Sequence, residues 1–471
     1  RATNSGAGAV TVTNRGNVSS TGGTASNADA LRASAVNGTV SVDSAGILFS
    51  ANARGIYATA GTGAVTVTNN GNISARSDGV RATGSRFTAG STGSITSATS
   101  YGILATGTGA LANSVSSSGD IVSDLGGIRA TNSGAGAVTV TNRGNVRSTG
   151  GTASNADALR ATAVNGAVMV DSTGTLVSTN ARGILADAGT AAVTVTNSGS
   201  VTARAEAIRA SGGSFGVTSQ NDLVSTTSYG IFAAAANAST AGTVSSTGNI
   251  TSFLAGIRAV NSGSAAVTVA SVGDLRTTGG TLLNAHGVYA RSAGDAGVST
   301  RGNVSSASSG GIYAQAGGAV TVTNNGQVDS LGSAINAAGS RFSVDSVGDI
   351  TSVTAYGIIA AANAGLSSQL VSTGAISAGL NGIRASNAAS GGITVTNRGS
   401  ILSRNGAGRL GNAIDAASQG GAVVVHNTGS IVSNLGGGIY AKTSGGAGAM
   451  VTNDSAIRSQ LDGVGLVSGS G

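Results

Sequence analysis

A four-residue word, Gly-Ile-x-Ala, returns along the whole chain at a spacing that hardly varies. It reads GIYA at Gly55, GVRA at Gly79, GILA at Gly102, GIRA at Gly127, GILA at Gly183, GIFA at Gly230, GIRA at Gly256 and GVYA at Gly287. GIYA at Gly311, GIIA at Gly357, GIRA at Gly382 and GIYA at Gly438 continue the series, and words beginning with Ala fill its gaps at Ala30, Ala158, Ala207, Ala334 and Ala413. Between Ala30 and Ala158 the steps are 25, 24, 23, 25 and 31 residues; from Ala158 to Gly287 they are 25, 24, 23, 26 and 31; from Gly287 to Ala413 they are 24, 23, 23, 25 and 31. Five short units therefore build one long unit, and the fifth step is always stretched. The copying is close: Arg1 to Ala33 reappears as Arg129 to Ala161 with one change, Ser19 becoming Arg147.

A period of this size means a solenoid, because each unit is one supersecondary piece that cannot bury its apolar face alone. Inside each unit, AVTVTN alternates apolar and polar residues and is rich in β-branched side chains, which is strand behaviour. A glycine turn follows, then a short strand with one aliphatic residue (GNV, GNI, GSI or GDI), a second turn, and the short strand of the word. No unit carries a helical stripe. Three short strands in about 25 residues make one coil of a parallel β-helix. The chain reads as a single continuous all-β solenoid over 1-471, a fragment of something longer, with long repeats at 30-157, 158-286 and 287-412 and a partial one at 413-471.

Alternation puts Val10 and Val12 inside and Thr11 and Thr13 outside. Stacked coils then give three inward columns. One runs Val12, Val42, Val67, Ala89, Val115, Val140; the second Val18, Ile47, Ile73, Ile95, Ile121, Val146; the third Leu31, Ile56, Val80, Ile103, Ile128, Leu159. Corner glycines are expected to supply positive φ angles and to let neighbouring coils approach closely.

Composition narrows the chemistry. With 78 Gly, no Pro, no Cys, no Trp, 3% aromatic and 9% charged residues, a core of large side chains is excluded, as are disulfides and thiolate metal sites. The net charge of +7 comes from 25 Lys and Arg against 18 Asp and Glu, and the basic residues are dispersed rather than gathered into the stripe a nucleic-acid binder needs. No stretch reaches the ~18 apolar residues of a membrane helix.

Catalytic motifs are chance matches in so Gly-rich a chain. GGSFG at 212 to 216 lacks the strand-turn-helix setting of a nucleophile elbow, and GAGRLG at 406 to 411 has no helix to follow it. The two histidines, His286 and His426, stand in different repeat positions, so no metal and no cofactor is expected. The TVT triplets at Thr11, Thr66, Thr139, Thr194 and Thr321 form outward rows, but coils bearing Ser41 and Asp43, or Ser116 and Ser117, interrupt them. Threonine there is simply a good exposed strand residue. The Arg and Tyr that alternate in the x slot of the word, Arg32 and Tyr57 among them, read as solubilising or neutral surface residues.

The stretched fifth coils are the best candidate for function, since insertions at one place in a solenoid project from one face. Their polar residues, Thr21, Asn27, Asp29, Thr149, Asn155, Asp157, Asn284, His286, Arg404 and Arg409, are the candidate contact residues.

Taken together, the words, the VTVTNxGxI strands and the Cys-free, Pro-free composition resemble the passenger region of Gram-negative type V autotransporters and related exported β-helix adhesins. The resemblance covers the whole chain. It implies a right-handed β-helix, export through the outer membrane, and a non-enzymatic role as adhesin or stalk at the cell surface. The implied partner is a host or neighbouring cell surface, its glycan or matrix protein, with no nucleic acid and with membrane reached only through a separate anchor or barrel. Two other classes fit the same fold: a polysaccharide-acting enzyme, which needs at least two Asp converging with an Arg, and a self-assembling filament.

Overall fold

The computed structural model describes residues 1–23, 28–152, 155–236, 239–281, 285–404 and 411–469. The chain forms two compact units, Arg1–Ala236 and Asn237–Gly471. Each is a parallel β-solenoid with three strands per turn, and no helical element of four residues or more occurs among the described residues.

One turn of the first unit shows how the residues make the coil. Val40–Ser44 is the long strand, Leu48–Ser50 the short one and Ile56–Ala60 the strand of the word. These belong to three sheets, here B, C and A in that order. Each strand pairs in parallel with the strand three places later, about one turn of 25 residues on, as Leu31 does with Ile56.

Register preserves the alternation. On sheet B, Val12 pairs with Val42, Val42 with Val67, Val67 with Ala89, Ala89 with Val115 and Val115 with Val140. On sheet A, Ile56 pairs with Val80, Val80 with Ile103, Ile103 with Ile128 and Ile128 with Leu159. Both expected columns are therefore present, and from Ile56 and Val42 onward their members are almost fully buried. Each such side chain contributes roughly 1.5–3 kcal/mol, so a coil with only three or four of them depends on the next coil to cover it.

The sheet C column differs from expectation at one position. Val18 pairs with Leu48, and Leu48 with Ile73, so Leu48 is the inward residue and Ile47 is 53% exposed. Ile47 takes the turn place that Asn17 and Asn72 hold in the flanking coils, and its N–H donates to Asn17 Oδ1 at 2.9 Å. Two adjacent aliphatics left the register open to choice; hydrogen bonding of the turn decides it.

The corners also differ. Positive φ occurs at Gly23, Gly151, Gly189, Gly280 and Gly446, and at no other described glycine. The repeated corner glycines serve close approach instead. A Cβ on Gly71, Gly93, Gly119 or Gly144 would lie closer than 3.0 Å to the carbonyl of the corner glycine one turn earlier.

Beside those glycines runs a buried polar column that the reading of the sequence missed. Asn69 Nδ2 donates to Gly71 O at 2.5 Å and to Ser91 Oγ at 3.1 Å, while Ser91 Oγ donates to Gly93 O at 3.1 Å. In the second unit Asn397 donates to Gly399 O and to Asn427 Oδ1, each at 2.7 Å. The turn leaves its carbonyl facing inward without a strand partner, and a short amide or hydroxyl satisfies it. Ser117 belongs to this column and is buried, so the outward residues of its strand are Ser114 and Ser116.

A candidate contact strip on the word sheet

Two positions of the repeat bring together all of the chain's tyrosines and many of its arginines. The first is the x slot of the word, which alternation turns outward on sheet A. The second is the residue just before the word, where the chain enters that sheet. All seven tyrosines fall in one or other: Tyr57, Tyr289, Tyr313 and Tyr440 in the slot, Tyr101, Tyr229 and Tyr356 before the word. Successive turns lie about 4.8 Å apart, so neighbours along and across the two columns touch.

In the first unit the strip is ionic. Asp29 meets Arg32 at 3.3 Å and Arg54 at 3.7 Å, and both guanidiniums sit over the Tyr57 ring, 4.6 and 4.3 Å from its centroid. Asp78 meets Arg81 at 3.7 Å and accepts from Ser100 Oγ at 2.5 Å. Arg129 donates to the Tyr101 hydroxyl at 2.9 Å. Further along, Arg182 bridges Asp157 at 3.4 Å and Glu206 at 3.3 Å, Arg160 lies 3.8 Å from Asp157, and Arg209 joins Glu206 at 3.4 Å with Phe232 beyond it. Seven of the nine ion pairs found among the described residues belong to this strip.

The layering of the charges matters more than their number. The side chains of Asp29, Asp78 and Asp157 are 1–2% exposed, whereas those of Arg32, Arg81 and Arg160 are 23%, 43% and 26% exposed. Anions lie beneath and cations above. Burial pushes the Asp157 carboxyl up despite Arg182 and Arg160 beside it, and burial pulls the Arg160 guanidinium down. The surface therefore offers guanidinium N–H groups, ring edges and hydroxyls.

In the second unit the strip is aromatic. Arg258 lies 4.5 Å over Tyr289, and Tyr289 stacks on Tyr313. His286 packs against both rings, with centroids 5.7 and 5.1 Å away, and its Nδ1 is 3.4 Å from Ser309 Oγ. Burial draws the His286 pKa down to about 4, only partly opposed by its hydrogen bond with the Gly310 backbone, and Arg258 pushes the same way as burial. Further on, Arg384 donates to the Tyr356 hydroxyl at 3.1 Å.

The residues expected to act in the stretched loops divide accordingly. Asp29, Asp157 and His286 end their loops and enter the strip, where the carboxylates are paired and covered. Thr21 and Thr149 are exposed; the Thr21 carbonyl accepts from Asn52, and the Thr149 N–H donates to Ser123 O at 2.9 Å. Asn155 closes a local turn, accepting from the Thr152 N–H at 2.8 Å. Arg404 is exposed, its N–H donating to Ala378 O. Asn27, Asn284 and Arg409 lie outside the described residues, as does most of GAGRLG.

Of the other motifs, Ser214 of GGSFG sits in the strand Ser214–Ser219, half-buried and paired with Ala192, not on a strand-to-helix turn. His426 lies on sheet B between Thr396 and Thr452. Among the described residues no three His, Asp or Glu side chains gather as a metal site would require. The strip is legible in part: the slot shows as the variable letter of the word, whereas the residue before it belongs to no motif, and all seven ion pairs involve that residue. Comparison with protein-family models, curated proteins and solved structures finds no match for the chain.

Proposed function

We propose that the chain is the solenoid of an exported, non-enzymatic surface protein, an adhesin of the autotransporter-passenger kind, and that the strip on sheet A is its contact face toward a host or neighbouring cell surface. The observation that carries this reading is the layered strip of the first unit. A chain with 9% charged residues and dispersed arginines still places all of its Tyr and nine of its Arg in two adjoining columns, with carboxylates buried beneath the outermost arginines. Such a row meets an extended, anionic surface polymer by many weak charge-assisted hydrogen bonds.

The covered carboxylates also favour binding over catalysis. Polysaccharide cleavage needs acidic groups that reach the substrate, and Asp29, Asp78 and Asp157 are shielded by their own arginines. Export fits a chain without cysteine or proline, whose turns add one by one. A right-handed winding is inferred from the general rule that crossovers between parallel strands of one sheet are right-handed in about 98% of cases.

The test is adhesion of the bead-coupled chain to cell layers and immobilised matrix proteins over a series of salt concentrations. Saturable binding that weakens with salt and with Arg129→Gln is expected; a chain that coats no cell or matrix surface is no adhesin.

A further inference from the structure

Two places beyond the slot of the word, the second unit has a groove of about 420 Å³. It crosses three successive turns of sheet A, where Val260 pairs with Arg291 and Arg291 with Gln315. These residues stand two places beyond the slot, so they share the outward face of Tyr289 and Tyr313. Elsewhere this column is mostly short: Ser34, Thr162 and Ala417 occupy the place of Arg291 in the other long repeats. The rest of the lining is small too, with Ser292, Ala293, Ala316 and Gly317.

The polar groups of the groove separate into those already used and those left over. Asn261 is used: its Nδ2 donates to Ala265 O at 3.0 Å and its Oδ1 accepts from the Gly263 N–H at 2.9 Å. Ser292 is used, donating to Ala265 O at 2.7 Å and accepting from the Gly294 N–H at 2.9 Å. Gln315 is half used. Its Oε1 accepts from the Tyr313 hydroxyl at 3.1 Å, which leaves the Nε2 hydrogens as donors. The Arg291 side chain is exposed, and among the described residues its guanidinium forms no ion pair or hydrogen bond. The nearest carboxylate in sequence, Asp295, is turned to the Ala319 N–H at 2.7 Å. What remains is a forked cation, an amide donor and the exposed Ser262 hydroxyl, with no acidic side chain in the lining.

We propose that this groove binds an acidic sugar, a hexuronate unit of a surface polysaccharide, with its carboxylate on the Arg291 guanidinium and its ring hydroxyls toward Gln315 Nε2 and Ser262. A planar fork matches a carboxylate through two parallel hydrogen bonds. A pyranose is about as wide as one turn spacing, ~4.8 Å, so a ring laid across the turns spans Arg291 and Gln315 together. Tyr313 stands beside the groove and holds Gln315 from its hydroxyl, so the amide of Gln315 is fixed with its Nε2 free for a ligand. The proposal rests on the reading of the chain as a surface-binding protein and names what one of its sites holds.

The experiment is titration calorimetry of the whole chain with a galacturonate hexamer and, as the neutral comparison, a galactose oligomer of equal length. Wild type is expected to bind the acidic hexamer, with Arg291→Gln weakening it by about tenfold or more and Arg291→Lys recovering only part, because Lys lacks the fork. Gln315→Ala should weaken binding less, and Arg204→Gln, an exposed arginine elsewhere, should leave it unchanged. Both oligomers binding alike, or Arg291→Gln binding like wild type with an unchanged circular-dichroism spectrum, overturns the proposal. Adhesion to cells without hexuronate binding would sink this proposal and spare the adhesin reading. Arg291-dependent hexuronate binding without adhesion would do the reverse.

Discussion

Tyr289 and Tyr313 lie face to face one turn apart, ring centroids 4.9 Å from each other and planes 5° from parallel. Consecutive slots of a parallel solenoid impose this geometry: the backbone repeats at about 4.8 Å, close to the separation at which rings pack. His286 completes the group from the neighbouring column, which is why its proton is costly.

His286 makes stability depend on pH in a defined window. Its folded pKa of about 4 lies below the ordinary 6.5, so between those values the unfolded chain binds the proton more readily. The contribution is complete above pH 6.5 and disappears as pH falls toward 4. Between pH 7 and 4.5 the wild type should lose roughly 2–3 kcal/mol more than His286→Gln, since each tenfold difference in proton affinity is worth about 1.36 kcal/mol. Denaturant midpoints of both proteins at the two pH values check it; parallel losses would refute it.

Strand register predicts a sharp contrast between neighbours. Val140 is fully buried between Val115 and Val170, so Val140→Asp should cost about 3–5 kcal/mol through an unpaired buried charge. Thr139→Asp, pointing outward, should cost less than about 1 kcal/mol. Urea unfolding of both variants measures the difference, and equal damage would contradict the register.

Two glycines five residues apart should respond oppositely to alanine. A Cβ on Gly302 would run into the Gly273 carbonyl, while at Gly297 the nearest atom is 3.9 Å away. Gly302→Ala should destabilise by more than about 2 kcal/mol. Gly297→Ala, on a strand with ordinary φ, should stabilise by about 0.4–1 kcal/mol by stiffening the unfolded chain. Melting temperatures that move in the same direction would show that close approach is not what the corner requires.

At Asp157 the hydrogen-bond acceptor matters more than the charge. Its Oδ1 accepts from the Arg182 N–H at 3.1 Å, and burial already disfavours its ionised form. Asp157→Asn should cost no more than about 1 kcal/mol, whereas Asp157→Ala, which leaves the N–H and two guanidiniums without it, should cost about 2–4 kcal/mol. Chemical denaturation at pH 7 ranks them; an amide as damaging as the alanine would assign the stability to charge.

The period and the alternation of apolar residues were enough to read the coil, two of its three columns and their partners, because a parallel stack offers one register that keeps every Val and Ile inside. Ile47 was misread since two aliphatics stand side by side and the choice rests on a side-chain amide one turn away. Asn69 and its fellows look like ordinary turn residues until the inward carbonyls of the corner are seen. Asp29 and Asp157 look like displayed loop residues along the chain, but each is covered both by the arginine three residues on, Arg32 or Arg160, and by one from the following turn, Arg54 or Arg182. The i,i+3 spacing from each carboxylate to its own slot is visible in the sequence, whereas the second arginine stands a full turn away and only the stacking of turns brings it in.

The corner glycines carry an evolutionary consequence. Where a single methyl group collides with the turn below, point substitution is a poor way to vary the molecule. Adding or removing a whole set of turns disturbs no corner, since each new turn brings its own glycine and meets the same carbonyl as its neighbours. Lineages of such a chain should therefore drift mainly in length, by in-frame recombination between near-identical blocks such as Arg1 to Ala33 and Arg129 to Ala161. The number of turns then changes in steps of five, the spacing of those two blocks.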